Sequence, residues 1–524
     1  MKYLKKIKPI HLIIIVFFTA NLLFLDQFPF VHSDEAWLSG LSRHMINQKN
    51  FAVTEPFFDL YPRHPHAIKS LFHFLQIIFI KLFGYNIFSF RLISLIFGTL
   101  SIYFFYKLTE FFIDNKILRY LTVLLLAFDI HFIYSSHFAR QEIILVFIFL
   151  AALYYFMLNN KSIYQKNLVN SKNKNYQKDF ILSCILGISM GVHPNIFIIS
   201  LPFILLYTYA LFFSPSVNIK NYSIFALTLF SFALIYIIIS LNFDANFFSN
   251  YARYGKKLGV LNSFNSKFNS LDNFYKKIFY RVSGTYYIPP IKIQLGLFFF
   301  IFTTGLIKCV KDKNQPVFIL LVSIISINLG YIIIGRYNQT SIIFIFPLFY
   351  LLTVKLLADF KIKYACSALL LLLLIMSVNT STAIIGSSFT DYDNYLKNIS
   401  SAVEAEDKVL ANLNSDYYFK SGSLFDYRNL AYLEQHNLSF AEYIDKNNIE
   451  YIIYPEEMDF IYNTRPEWNI LYGNLHPYYS DMKNYLQKNT RLLYQFTDKT
   501  YGMRIVQYIG EKNWTVKIYK VIQK

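Results

Sequence analysis

The chain has 524 residues, 55% of them hydrophobic and 16% charged, with a formal net charge of +18. Its apolar residues come in unbroken blocks rather than at amphipathic spacing, the signature of a polytopic membrane protein and not of a soluble globular one. The charge points away from a nucleic-acid partner. Residues 385–524 hold 15 Lys and Arg against 18 Asp and Glu, so the excess lies in the first 384 residues, with 35 against 14, where a loop-orientation bias explains it.

Four lysines (Lys2, Lys5, Lys6 and Lys8) precede the first apolar block. No small-residue cleavage pattern stands before Asp34, so the block reads as a retained first span rather than a cleaved leader. A span needs ~20 apolar residues, and eleven blocks are expected to cross: 9–28, 87–109, 117–135, 141–158, 180–193, 195–213, 223–241, 291–307, 317–334, 341–354 and 364–384. The fifth and sixth are parted only by His193-Pro194-Asn195, expected to form a tight turn. With the N-terminus cytoplasmic, the cytoplasmic loops should be basic. They carry Lys107, Lys116 and Arg119; Lys161, Lys166, Lys172, Lys174 and Lys178; Lys220; Lys308, Lys311 and Lys313; and Lys355, Lys361 and Lys363. The short connections on the other side hold only Arg140 and Arg336.

The reading is thus an α-helical polytopic domain over 1–384 followed by a small exported α/β domain over 385–524. Three exported regions are long: 29–86, 242–290 and the tail. The first contains a helical pattern from Ile68 to Phe83 that carries Lys69, His73 and Lys81 and suits the membrane interface. In the tail, strands are expected at Lys408–Asn412 and Tyr451–Tyr454, with Met503–Ile509 and Trp514–Val521 as closing strands. A helix is expected over Ser439–Asn447, with Ser439 as its cap and Glu442 at the capping-box position. Cys184, Cys309 and Cys366 lie in or beside apolar blocks, which leaves no cysteine for a disulfide framework or metal site in the polar parts.

Chemistry is expected at His32-Ser33-Asp34-Glu35-Ala36-Trp37, just beyond the first span. Ser33 or Asp34 would cap a helix running through Trp37, Leu38, Leu41 and Met45. A carboxylate there would also serve as a general base at the membrane surface. Basic groups on the same face are Arg63 and His64 in Pro62-Arg63-His64-Pro65-His66, then Arg91, Arg140 and Arg336. Guanidinium groups bind phosphate in a bidentate manner, so several of them beside a carboxylate pair point to a phosphate-bearing lipid. Asp391-Tyr392-Asp393 has the form of a metal-binding Asp-x-Asp triplet, and His32, His44, His64, His66 and His73 cluster in the first loop. Such triplets are common by chance and this one follows a span, and only His64 and His66 are close in sequence with no Cys beside them, so no metal or other cofactor is indicated, a divalent metal being left open.

Asp34-Glu35-Ala36 after the first span, the basic-proline element, and Lys81-Leu82-Phe83-Gly84 followed by Phe90-Arg91-Leu92 form an ordered set. Ala139-Arg140-Gln141-Glu142 and Arg336-Tyr337 with Pro347 extend it. This order over residues 1–360 resembles the GT-C membrane glycosyltransferases, in particular the branch with protein O-mannosyltransferases and the aminoarabinose and lipopolysaccharide sugar transferases. Where that family commonly has Lys-Pro-Pro, this chain has Arg63-His64-Pro65-His66, and it lacks the Trp-Trp-Asp-Tyr-Gly motif of oligosaccharyltransferases. The resemblance implies transfer of a sugar from a polyprenyl-phosphate donor to a glycan, lipid or protein hydroxyl, with inversion, in a bacterial plasma membrane. It implies Asp34 as base with Glu35 the neighbouring acid that helps hold the acceptor, and Arg63, His64, Arg140, Arg336 and Tyr337 around the donor phosphate. Arg91 and Glu142 would support them. A lipid-linked sugar flippase is the alternative, although flippases more often show related halves with broken spans and little exported mass.

Overall fold

The computed structural model describes residues 8–160, 176–213, 217–282, 286–387, 390–504 and 508–522. Lys161, Lys166, Lys172 and Lys174 lie outside them. In hydrocarbon every backbone amide must be satisfied within its own segment, so the apolar blocks become helices. They are α1 (Pro9–Leu22), then α2 (Ser33–Gln48) and α3 (Ser70–Phe83) in the first long loop, then α4 (Ile87–Phe112), α5 (Lys116–Ala127), α6 (Ile130–His137), α7 (Glu142–Asn159), α8 (Gln177–Ile188), α9 (Ile196–Phe213) and α10 (Ile219–Phe243). The second long loop forms α11 (Phe247–Lys257) and α12 (Phe264–Phe279). The chain returns as α13 (Lys292–Asp312), α14 (Gln315–Ile334), a 3-10 turn at Gln339–Phe344 running into α15 (Phe346–Leu357), and α16 (Ile362–Ile385).

Among the described residues eight helices are long and apolar enough to cross a membrane, and α5 with α6 makes a ninth span bent by 57°. The helices α1 and α8 occupy the two remaining expected positions but have 14 and 12 residues, short of a full crossing. Asp129 causes the bend: its Oδ1 caps α6 by accepting the Phe132 amide at 2.8 Å, and its Oδ2 accepts the Tyr350 hydroxyl at 2.6 Å. A side chain that satisfies a new helix start lets the chain turn inside the bundle. His193 likewise organises the turn before α9, its Nδ1 accepting the Asn195 amide at 3.0 Å. The segment 339–357 sits at the bundle centre, whereas α10 and α16 show Leu227, Phe230, Ile238, Leu370, Leu371 and Leu374 on the outside, as lipid-facing helices do.

The tail opens with α17 (Tyr392–Ser400). It then builds a five-stranded sheet from β1 (Val409–Ala411), β2 (Leu424–Asp426), β3 (Tyr451–Pro455), β4 (Thr490–Asp498) and β5 (Trp514–Val521), in the order β2-β1-β3-β5-β4. Strands β1, β2 and β3 run parallel, and β5 is antiparallel to both β3 and β4. Successive side chains leave a strand on opposite faces. Leu410 and Ile452 therefore join one core with α18 (Phe440–Lys446), α19 (Glu457–Thr464) and α20 (His476–Asn489), while Val409, Ala411 and Ile453 join another with Tyr395, Phe57 and Phe58. The second face is covered by the first long loop, so the tail is docked on α2.

The expected strands at 409–411, 451–455 and 514–521 form, and Ser439 with Glu442 makes the capping box of α18. The expected strand 503–509 is not seen among its described residues. Residues 505–507 lie outside the described residues, and Met503, Arg504, Tyr508 and Ile509 are not in a strand; β4 takes the edge position instead. The Asp391 carboxylate accepts the Asn394 amide at 2.9 Å as the cap of α17, which accounts for the Asp-x-Asp triplet.

Candidate active site

The first turn of α2 sets two acids on two faces. His32 is the N-cap, in place of Ser33 or Asp34: its Nδ1 accepts the Asp34 amide at 3.0 Å, and Glu35 Oε2 accepts the His32 amide at 2.9 Å. Adjacent helical residues point about 100° apart, so Glu35 turns inward and Asp34 outward.

Glu35 is fully buried and holds Arg91 of α4 in a bidentate pair, Nε to Oε1 and Nη2 to Oε2 at 2.9 Å each. Its Oε1 also accepts the Ala139 amide at 3.0 Å. The remaining Arg91 nitrogen donates to the Leu25 and Pro29 carbonyls at 3.1 and 2.9 Å. Both oxygens of Glu35 are engaged and away from solvent, so the expectation that it touches an acceptor is replaced by a positioning role: it pins the start of α2 to α4 and to the segment before α7.

The Asp34 side chain keeps 23% exposure. Its Oδ2 accepts from Arg140 Nη1 at 2.8 Å and from the Tyr286 hydroxyl, and Arg140 Nη1 also donates to Tyr286 at 2.6 Å. Arg140 Nη2 pairs with Glu142 at 3.2 Å, and Thr340 donates to the same Glu142 oxygen at 2.7 Å. Burial alone would raise the Asp34 pKa, but His32, Arg140 and the Tyr286 hydroxyl outweigh it and hold the carboxyl well below the usual range. Burial lowers the His32 pKa against the pull of the Asp34 charge, and Arg140 is the permanent cation beside Asp34.

The basic-proline element is arranged differently from the expectation. Arg63 is clamped by Glu55, Nε to Oε2 and Nη2 to Oε1 at 2.9 Å, and lies over the rings of Trp37 and Tyr254. The Trp37 indole donates to Glu55 at 2.5 Å, and Arg428 of the tail lies over the other side of this cluster, 4.6 Å from the Trp37 ring. Burial raises the Glu55 pKa, but Arg63 pulls it down to about 2, so the pair is ionised and Arg63 is engaged within the protein. His64 is half exposed and 3.9 Å from Asp244. Tyr337 donates to the Lys267 carbonyl at 2.5 Å and its ring meets Phe274, so it serves α12 and not the Asp34 site.

Sequence reasoning missed Lys69 and His193. Lys69 caps α3 in the left-handed region, at φ 84°. Burial, followed by the charges of Arg336, Arg140 and Arg63, lowers its pKa to about 7. His193, almost fully buried, experiences the same Lys69, Arg336 and Arg140 charges, and its Nε2 has no hydrogen-bond partner among the described residues. Neither Lys69 nor Arg336 forms an ion pair among the described residues. Lys69, Arg140 and Arg336 thus make a cationic cluster, with Asp34 and Glu142 paired to Arg140 and Glu55 acting on Lys69. The sequence clue was a lysine breaking the start of an apolar helical run.

The fold as a whole, a multi-span bundle with an α/β tail docked over its first long loop, is similar to that of several solved structures. The ArnT protein of Cupriavidus metallidurans in the apo state superposes with a TM-score of 0.57 at 12% identity, covering 97% of this chain and 97% of that one. Its complex with undecaprenyl phosphate gives 0.56 at 12%, covering 84% and 95%. The apo oligosaccharyltransferase of Archaeoglobus fulgidus gives 0.54 at 15%, covering 87% and 71%. Residues 13–251 match the family described as dolichyl-phosphate-mannose-protein mannosyltransferase. No curated protein sequence matches significantly. Over residues 13–251, less than half of the chain, the sequence is thus similar to that mannosyltransferase family, and the fold is similar to that of the ArnT and oligosaccharyltransferase structures.

Proposed function

We propose that the protein is an inverting glycosyltransferase that moves a hexose or pentose from a polyprenyl phosphate to an acceptor hydroxyl, with Asp34 as the base. The observation that carries this reading is an ionised, partly exposed carboxylate held by Arg140 in a cationic cluster whose Lys69 and Arg336 have no ion-pair partner among the described residues. The similar ArnT structure is of a complex with undecaprenyl phosphate, and a structure of the Archaeoglobus protein AglB, 14% identical with a TM-score of 0.51, holds dolichol phosphate and an inhibitory peptide.

In one in-line displacement the acceptor oxygen bonds to the anomeric carbon as the bond from that carbon to the phosphate oxygen breaks. The hydroxyl proton passes to Asp34, and the phosphate leaves with the bonding electrons. Lys69, Arg140 and Arg336 neutralise the charge that develops on it. Donor binding also tunes the base. A phosphate beside Arg140 shares the guanidinium that otherwise holds the Asp34 pKa down, so the carboxylate gains basicity only when a donor is in place. The scheme uses no metal ion. The charge of the loops supports placing the N-terminus in the cytoplasm and the active face outside a bacterial plasma membrane.

The test uses the purified full chain with a polyprenyl-phosphate sugar. Asp34→Asn is expected to abolish transfer while polyprenyl phosphate still binds. Full transfer by that variant would sink the mechanism.

A further inference from the structure

The end of the bundle that holds the tail contains a cleft of about 690 Å³, between the last turns of α16, the 286–290 segment, and Ile509 and Glu511 of the tail. That volume is within the range of small-molecule sites. Asp34 is not in its wall. The cleft meets the Asp34 site only through Tyr286, which lines it and donates its hydroxyl to Asp34 Oδ2.

Position sets the kind of ligand. Leu371, Leu374, Val378 and Ile385 are exposed and fall at helical spacing along the lipid-facing side of α16. Thr382 lies on the same stripe, between Val378 and Ile385, and is both exposed and part of the cleft wall. The stripe that meets acyl chains therefore runs into the cleft without a break, and a ligand that lies along both is an amphiphile. Tyr280, Tyr286 and Tyr287 also line the cleft, and tyrosine is a residue type that settles at the headgroup level of a bilayer.

Charge sets the headgroup. Two charged side chains line the cleft, Arg281 and Glu511. Arg281, in the left-handed region at φ 57°, is tethered through Nε to the Ile288 carbonyl at 3.1 Å, and its terminal nitrogens have no protein partner among the described residues. Glu511 forms no ion pair among the described residues, with Arg281 or with any other cation. Residues 283–285, 388–389 and 505–507, which adjoin these walls in sequence, include no charged side chain. The cleft is thus neutral as a whole but holds one unmet cation and one unmet anion. A singly anionic headgroup would satisfy the guanidinium and bring like charge toward Glu511. A zwitterion satisfies both, with phosphate on the guanidinium and ammonium on the carboxylate and the tyrosine faces.

We infer that the cleft binds a zwitterionic phospholipid, with its phosphate on Arg281, its ammonium between Glu511 and the tyrosines, and a chain along the α16 stripe. The site is separate from the Asp34 chemistry and does not depend on the glycosyltransferase reading.

Native mass spectrometry of the full chain, released from detergent micelles that hold equal amounts of phosphatidylethanolamine and phosphatidylglycerol, tests it. The parent is expected to retain phosphatidylethanolamine roughly tenfold over phosphatidylglycerol. Arg281→Gln should lose the bound lipid, and Glu511→Lys, at an exposed position, should reverse the preference. The second variant keeps the test decisive if Arg281→Gln fails to fold. Soluble phosphoethanolamine, which has the headgroup and no chains, should compete poorly; displacement of the lipid by an equal concentration of it would overturn the assignment to a lipid. Equal retention of the two phospholipids by the parent would overturn the zwitterion. A preference unchanged by Glu511→Lys would place the lipid elsewhere and overturn the site.

Discussion

Replacing Glu35 by Gln separates the two acids of the first turn. The Glu35–Arg91 pair is fully buried, and the carboxylate serves four donors: two Arg91 nitrogens and the amides of His32 and Ala139. Gln has one acceptor oxygen, and its amide nitrogen faces a donor wherever it turns. Arg91 is left as a buried charge whose other contacts are the carbonyls of Leu25 and Pro29. Breaking one side of a buried pair costs about 3–5 kcal/mol. Loss of the capping box belongs to the same group and is contained in that figure. Thermal unfolding in detergent, followed by size-exclusion chromatography, should show Glu35→Gln melting several degrees below the parent. The surviving folded protein should still transfer sugar. Asp34→Asn, at a side chain that keeps solvent contact, should give the reverse pattern of near-parental melting and no transfer. A Glu35→Gln protein that melts with the parent yet transfers nothing would refute the positioning role and make Glu35 a reacting group.

Lys69 gives a pH dependence with a definite sign. In the free protein burial and Arg336 lower its pKa to about 7. A bound phosphate raises it, so affinity for polyprenyl phosphate is full below pH 7 and falls, by at most about tenfold per unit, as pH rises from 7 toward 9. Lys69→Met should flatten that slope and weaken binding at pH 7 roughly tenfold; an unchanged slope would remove Lys69 from the phosphate site. Tyr286→Phe removes a hydrogen bond that lowers the Asp34 pKa, so the acid limb of the kcat/KM profile should move to higher pH, and a shift downward would contradict the assigned contact. Asp416 in the tail accepts Arg43 of α2 at 3.0 and 3.1 Å and the Tyr85 hydroxyl at 2.5 Å. Asp416→Asn should cost about 3 kcal/mol at the docking surface, read as faster proteolysis of the tail with the spans intact. Equal cleavage rates would show that other contacts hold the tail.

The sequence alone determined most of the spans, because a bilayer forces any long apolar block into a helix, although α1 and α8 came out shorter than their blocks and α5–α6 bent. It also determined the order of the motifs, the helix that starts at residue 33, and the cap of α18, all of which depend on neighbours a few residues apart. Only the tertiary structure decided the roles of side chains brought together from distant positions. Glu35 and Arg91 are 56 residues apart, and Asp34 and Arg140 are 106 apart. Nothing local shows that Arg63 is clamped by Glu55, that Tyr337 turns toward α12, or that the charges of Lys69 and Arg336 act on His193. The acids at Asp34 and Glu35 were legible as a pair because they are adjacent. Their division of labour was not, since it depends on which face of α2 the rest of the bundle covers. That first turn now has one acid held in place by Arg91 and one left partly exposed beside Arg140, a difference created by burial and not by residue type.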